Sequence, residues 1–100
     1  MKRISALALL LAFSASPAAA ETVLRQYRCS NSTVLRVLFN DEDHSATVVP
    51  FARPSIRLTR VAGNDHRFRY VRRETHELSG GRDEVIWRVG RAQWTCRRGT

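Results

Sequence analysis

Residues 83–97 read Asp-Glu-Val-Ile-Trp-Arg-Val-Gly-Arg-Ala-Gln-Trp-Thr-Cys-Arg, and the fold is decided by this stretch. Val85, Trp87 and Val89 alternate with Ile86 and Arg88, Gly90-Arg91 supplies a two-residue turn of the Gly-X kind, and Ala92, Trp94 and Cys96 alternate with Gln93, Thr95 and Arg97. That is the pattern of a β-hairpin. With Gly90 and Arg91 at the turn, Val89 faces Ala92, Trp87 faces Trp94 and Val85 faces Cys96, and the period of two places all six on one side. The other side sets Arg88 against Gln93, Glu84 against Arg97 and Ile86 against Thr95. One face belongs to a core and the other is mostly wet.

The same alternation runs back through the chain. A first strand is expected over residues 23–29, with Val23, Arg25, Tyr27 and Cys29 on one side, and the turn-prone Ser30-Asn31-Ser32 ends it. Residues 33–39 form a second, with Leu35, Val37 and Phe39 sharing a face, closed by the polar turn Asn40-Asp41-Glu42-Asp43. Residues 45–49 form a third, stopped by Pro50, which cannot donate to a ladder. Residues 55–61 form a fourth, with Ile56, Leu58 and Arg60 opposite Arg57, Thr59 and Val61. Gly63-Asn64-Asp65 predicts a loop over residues 62–66, because these residue types tolerate left-handed backbone or cap their own turns. Residues 67–71 and 75–79 are two further short strands before the hairpin. Eight short strands with closely spaced turns and no helical period indicate an all-β domain, either a closed antiparallel barrel or a small sandwich.

The first twenty residues have a different character. Met1-Lys2-Arg3 is a positive start, residues 4–13 are apolar apart from Ser5, and Ala18-Ala19-Ala20 offers small residues for cleavage. This is the pattern of a secretory signal peptide cleaved near Ala20, with an apolar run of about ten residues where a bilayer span needs about 20. The expected division is therefore a signal peptide over 1–20 and one exported, periplasmic domain over 21–100, without a stable membrane anchor. Without Lys2 and Arg3 the 17 basic and 9 acidic residues become 15 and 9, a formal +6 carried entirely by arginine. Charge of that size bears on anionic partners rather than on fold. Cys29 and Cys96 are an even pair in a small exported domain, which reads as a disulfide.

Few residues offer chemistry. His44, His66 and His76 match no metal-ligand spacing, and neither a nucleophile elbow nor a phosphate-binding glycine loop is present. Asp83 and Glu84 are adjacent on a strand and point to opposite faces, so they do not form an acid–base pair. A non-enzymatic protein without metal or cofactor is expected. Phe68 and Tyr70 among arginines have the look of a stacking surface for single-stranded nucleic acid, but their spacing is that of a core face, and nucleic acid is not an expected partner.

Several separated pieces nevertheless form one pattern. Tyr27-Arg28-Cys29, residues 35–40, Ala62-Gly63, Arg69-Tyr70, Leu78-Ser79-x-Gly81 with Asp83-Glu84-Val85, and Cys96 in the last strand together resemble the bacterial inhibitors of chicken-type (C-type) lysozyme, the MliC/PliC family. The resemblance spans nearly all of residues 21–100 and rests on order and spacing. It implies an eight-stranded antiparallel barrel with its two cysteines bridged, which inserts two loops into the cleft of a C-type lysozyme or related muramidase. In the family, the first loop carries a Ser-Gly pair whose serine contacts a catalytic carboxylate. Here Ala62 precedes Gly63, and residues 64–68 lengthen the segment before Arg69-Tyr70. The family's second loop reads Phe-Trp-Ser-Lys-Gly, and its lysine meets the other catalytic acid. Here Glu77 and Leu78 take the first two places, Ser79 and Gly81 match, and Gly80 replaces the lysine.

The resemblance thus assigns the binding surface to Ala62, Gly63, Asn64, His66, Tyr70, Ser79, Gly80, Gly81 and Arg82, with Arg82 in the lysine's role and Asn64 or His66 in that of the serine. A guanidinium beside a desolvated carboxylate forms a charge-assisted contact. Such lysozymes are basic, so a net +6 on the inhibitor slows association at low salt. The alternative is an arginine-rich module that binds anionic envelope polymers or lipid phosphates; a hydrolase is the weakest reading.

Overall fold

The computed structural model describes residues 22–99; the expected signal peptide and its expected cleavage position lie outside the described residues. Eight strands follow one another: β1 (Thr22–Cys29), β2 (Val34–Asn40), β3 (Ser45–Val49), β4 (Ile56–Gly63), β5 (Phe68–Arg72), β6 (His76–Gly80), β7 (Glu84–Val89) and β8 (Ala92–Arg98). Each pairs antiparallel with the next and β8 returns to β1, closing the barrel. Short connections make this order natural, since antiparallel neighbours need only a few residues between them.

The β7–β8 hairpin has the expected register, with Val85 opposite Cys96, Trp87 opposite Trp94, Val89 opposite Ala92, and Gly90 at φ 60° in its turn. Its inward face is less uniform than alternation suggests. Val85, Trp87 and Cys96 are buried, Val89 and Trp94 are half-buried, and Ala92 is exposed. The hairpin outruns the packed interior, and its last rungs form part of the barrel's rim.

The inward faces of β1, β2 and β4 also follow the alternation. Tyr27, Cys29, Leu35, Val37, Leu58, Phe68, Tyr70 and Leu78 are buried with the hairpin residues in one core. Cys29 and Cys96 stand directly opposite on the β1–β8 seam and are bridged, 67 residues apart in sequence. This seam is short, with Tyr27 opposite Arg98, Arg28 opposite Arg97, and the cysteine pair. Closing a loop of that length removes unfolded-state entropy of about 4 kcal/mol in the chain model.

One boundary differs from expectation. Ala62 and Gly63 belong to β4 rather than to the following loop, opposite Arg69 and Phe68, after a register shift between Arg60 and Ala62. The shift lets the strand continue past the point where its alternation breaks. Gly63 stands at φ 92°, where a Cβ would lie 2.0 Å from the carbonyl oxygen of Arg67, so the glycine that signals a turn ends a strand here.

Candidate functional site

Hairpin topology sends alternate connections to opposite ends of the barrel. Residues 41–44, 64–67 and 81–83 share one end with the start of β1 and the end of β8. The two segments singled out by sequence are therefore neighbours: Asn64 and His66 lie in the β4–β5 connection, and Gly81 and Arg82 in the β6–β7 connection, while Ser79 and Gly80 are the last residues of β6. Their contact is close. A Cβ on Gly81 would lie 2.8 Å from the carbonyl oxygen of His66.

Both connections are held by local hydrogen bonds. The Asn64 side-chain oxygen accepts from the backbone N–H groups of His66 (2.8 Å) and Arg67 (3.1 Å), and the Asn64 N–H donates to the Arg67 carbonyl (2.8 Å). This is an asparagine-capped turn. In the other connection, the N–H of Gly81 donates to the Glu84 carbonyl (2.9 Å), and Gly80 stands at φ 133° with space for no Cβ, which would meet the Glu84 oxygen at 2.4 Å. A lysine could not occupy position 80 without moving the strand. Asn64 is thus committed to its own turn, so of the two residues expected in the serine's role His66 is the one whose exposed side chain stays free of that turn, beside the exposed Asp65 and Arg67.

Arg82 is exposed, and among the described residues it has no ion pair. Its backbone is anchored from below. The hydroxyl of Tyr27, whose side chain is wholly buried, donates to the Arg82 carbonyl at 3.2 Å. Burial raises the Tyr27 pKa, so the hydroxyl keeps its proton and remains a donor at neutral pH. Sequence reasoning placed Tyr27 on one strand face with Val23, Arg25 and Cys29 but did not find this support; the shared face with Cys29 was the available signal.

Beneath the connections lies a cavity of about 130 Å³, with Phe39, Phe68 and Tyr70 in its lining together with Arg25, Arg60 and Arg82. The three rings pack at centroid distances of 5.3 to 5.7 Å. Arg25 sits 5.3 Å above the Phe39 ring, a cation–π placement, and Arg60 pairs with Asp65 at 3.4 Å. Tyr70 is buried, so it braces the end of the barrel from within, and burial raises its pKa.

Carboxylates outnumber arginines in the connections of this end, and strand arginines pair with three of them. The three connections carry Asp41, Glu42, Asp43, Asp65 and Asp83 against Arg67 and Arg82. Asp43 pairs with Arg57 and accepts from the Ser45 hydroxyl at 2.7 Å, a hydrogen bond that holds its carboxyl below the usual range. Asp83 pairs with Arg98 at 3.5 Å. Asp41 and Glu42 have no ion pair among the described residues.

The histidines are not assembled into a metal centre. His44 and His66 lie in connections at this end and His76 begins β6 at the other, and among the described residues no three His, Cys, Asp or Glu side chains converge. No protein-family model, curated protein or solved structure matches the chain.

Proposed function

We propose that this protein is a periplasmic inhibitor of a C-type lysozyme or related muramidase, which blocks the substrate cleft with the end of the barrel formed by residues 64–67 and 81–83. The observation that carries this reading is the abutment of the two connections, Gly81 against the His66 carbonyl, on a closed and cross-linked barrel. An occluding protein needs a rigid projection whose polar groups are ordered before binding, because ordering on contact subtracts from affinity. The Arg82 backbone meets that need through its carbonyl anchor on Tyr27, and the exposed guanidinium is available to a catalytic carboxylate in a partner's cleft. His66 presents the second polar group.

A basic muramidase is repelled by the chain as a whole; on the presented end Asp41 and Glu42, which have no ion pair among the described residues, are the carboxylates open to a partner's cations.

The test is a cell-wall clearing assay with chicken-type lysozyme and the purified protein. Saturable inhibition at near-stoichiometric ratios is expected; undiminished lysis at a large molar excess overturns the proposal.

A further inference from the structure

The other end of the barrel carries a second and chemically different cavity. It measures about 490 Å³, within the range of small-molecule sites, and its lining includes Leu35, Ile56, Trp87, Val89, Trp94 and Phe51. Pro50 and Pro54 bracket the segment that holds Phe51, a residue 68 % exposed although it lines this apolar opening. An aromatic side chain left in water on a proline-bracketed loop costs free energy that burial against a ligand would recover. His76 packs on the Trp87 ring with centroids 5.8 Å apart. Burial, with Arg72 and Arg88 nearby, lowers the His76 pKa, so its ring is neutral at pH 7 and belongs with the apolar wall.

The rim has the opposite sign to the loops at the far end. Arg53 lines the cavity, and the four connections here (residues 30–33, 50–55, 73–75 and 90–91) carry Arg53, Arg73 and Arg91 against a single carboxylate, Glu74. Arg36 lies with Arg53 and Phe51 along an adjoining groove. Among the described residues, none of Arg36, Arg53, Arg73 and Arg91 forms an ion pair. An apolar interior beside unpaired guanidinium groups selects a molecule with an apolar tail and an anionic head.

The geometry points to a ligand site for a monomeric single-chain anionic amphiphile of the fatty-acid type, with its acyl chain between Trp87, Trp94 and Phe51 and its carboxylate at Arg53. This site is separate from the proposed inhibitory end, and its occupancy does not require that reading.

Trp87 and Trp94 are the only tryptophans in the chain, so intrinsic fluorescence reports directly on the cavity. Dodecanoate, titrated below its micelle-forming concentration into the purified protein, should shift tryptophan emission to the blue and saturate at one molecule per chain. Dodecyltrimethylammonium should give no saturable change. Arg53→Ala should weaken dodecanoate binding about tenfold, the loss of one charge-assisted contact, and Phe51→Ala should weaken it by a similar factor. Far-UV circular dichroism of the variants establishes that both still fold. Three results would each overturn the assignment: no response to dodecanoate, equal response to the cationic amphiphile, or unchanged affinity in Arg53→Ala. A response confined to phosphatidylglycerol vesicles, absent with free dodecanoate, would also overturn it by making this face a membrane-docking surface.

Discussion

Gly81 lies so close to the carbonyl oxygen of His66 that a methyl group placed on it would come within 2.8 Å of that atom. Two connections separated in sequence are thereby one surface, and the gap between them is smaller than a side chain. Gly81→Ala should push them apart. The expected outcome is a roughly tenfold loss of lysozyme inhibition with a melting temperature lower by only a few degrees, consistent with about 1 kcal/mol of local rearrangement. Inhibition curves and thermal unfolding of the same preparation check both parts.

Arg82 and Arg91 separate a specific contact from bulk charge. Arg82 stands at the proposed inhibitory end and Arg91 in the β7–β8 turn at the other. Arg82→Ala should weaken inhibition at least tenfold, as expected for a lost hydrogen bond to a charged group. Arg91→Ala should leave it unchanged. Equal losses in the two variants would show that net charge is acting.

Gly80→Lys should not improve inhibition, although it places a lysine where the resembled family has one. Position 80 has φ 133° and a Cβ there meets the Glu84 carbonyl at 2.4 Å, so the substitution should cost about 1 to 3 kcal/mol. Chemical denaturation reads the cost directly.

Cys29→Ser should lower stability by about 4 kcal/mol, because the bridge closes a 67-residue separation. A thiol reductant should reproduce the loss in the parent protein and add nothing in the variant. Denaturant midpoints under oxidising and reducing conditions provide the comparison.

Glu77 accepts from Arg69 at 3.1 Å and from Arg88 at 3.2 Å on the outer face. The hydrogen bond from Arg69, aided by Arg88, holds its carboxyl below the ordinary value of 4.5. With the folded-state pKa depressed, its contribution is fully present above the unfolded value and is lost as pH falls through the folded one. Glu77→Gln should cost about 1 kcal/mol at pH 7 and progressively less on acidification below pH 4.5. Melting temperatures of parent and variant should converge at low pH.

The sequence discloses strands better than it discloses ends. Trp87 opposite Trp94 and Val85 opposite Cys96 follow from one glycine turn and a period of two, and both pairings are present. Alternation alone left barrel and sandwich open. Only the meeting of β1 with β8 decides between them, and pairing between the first and last strands leaves no local pattern. Ala62 and Gly63 were expected in a loop because Gly-Asn-Asp is a turn signal, while the register shift after Arg60 that carries β4 through them has no signature in residue type. The candidate surface was legible as two segments but not as one. Its junction depends on a glycine against a carbonyl, and its support depends on a tyrosine buried in another strand. The apolar cavity was hidden for a related reason, since Phe51, Trp87 and Trp94 come together from separate parts of the chain.

The short ladder between β1 and β8 ties shape to surroundings. With the sulfurs apart, these two ribbons are joined by three rungs, Tyr27 with Arg98, Arg28 with Arg97 and Cys29 with Cys96, and by the flanking backbone hydrogen bonds from Ser30 to Thr95 and from Gly99 to Gln26, whose loss opens the circle. The opened molecule is a curved sheet with two bare margins, each able to recruit another copy. The bridge fixes that closure covalently and keeps both margins paired.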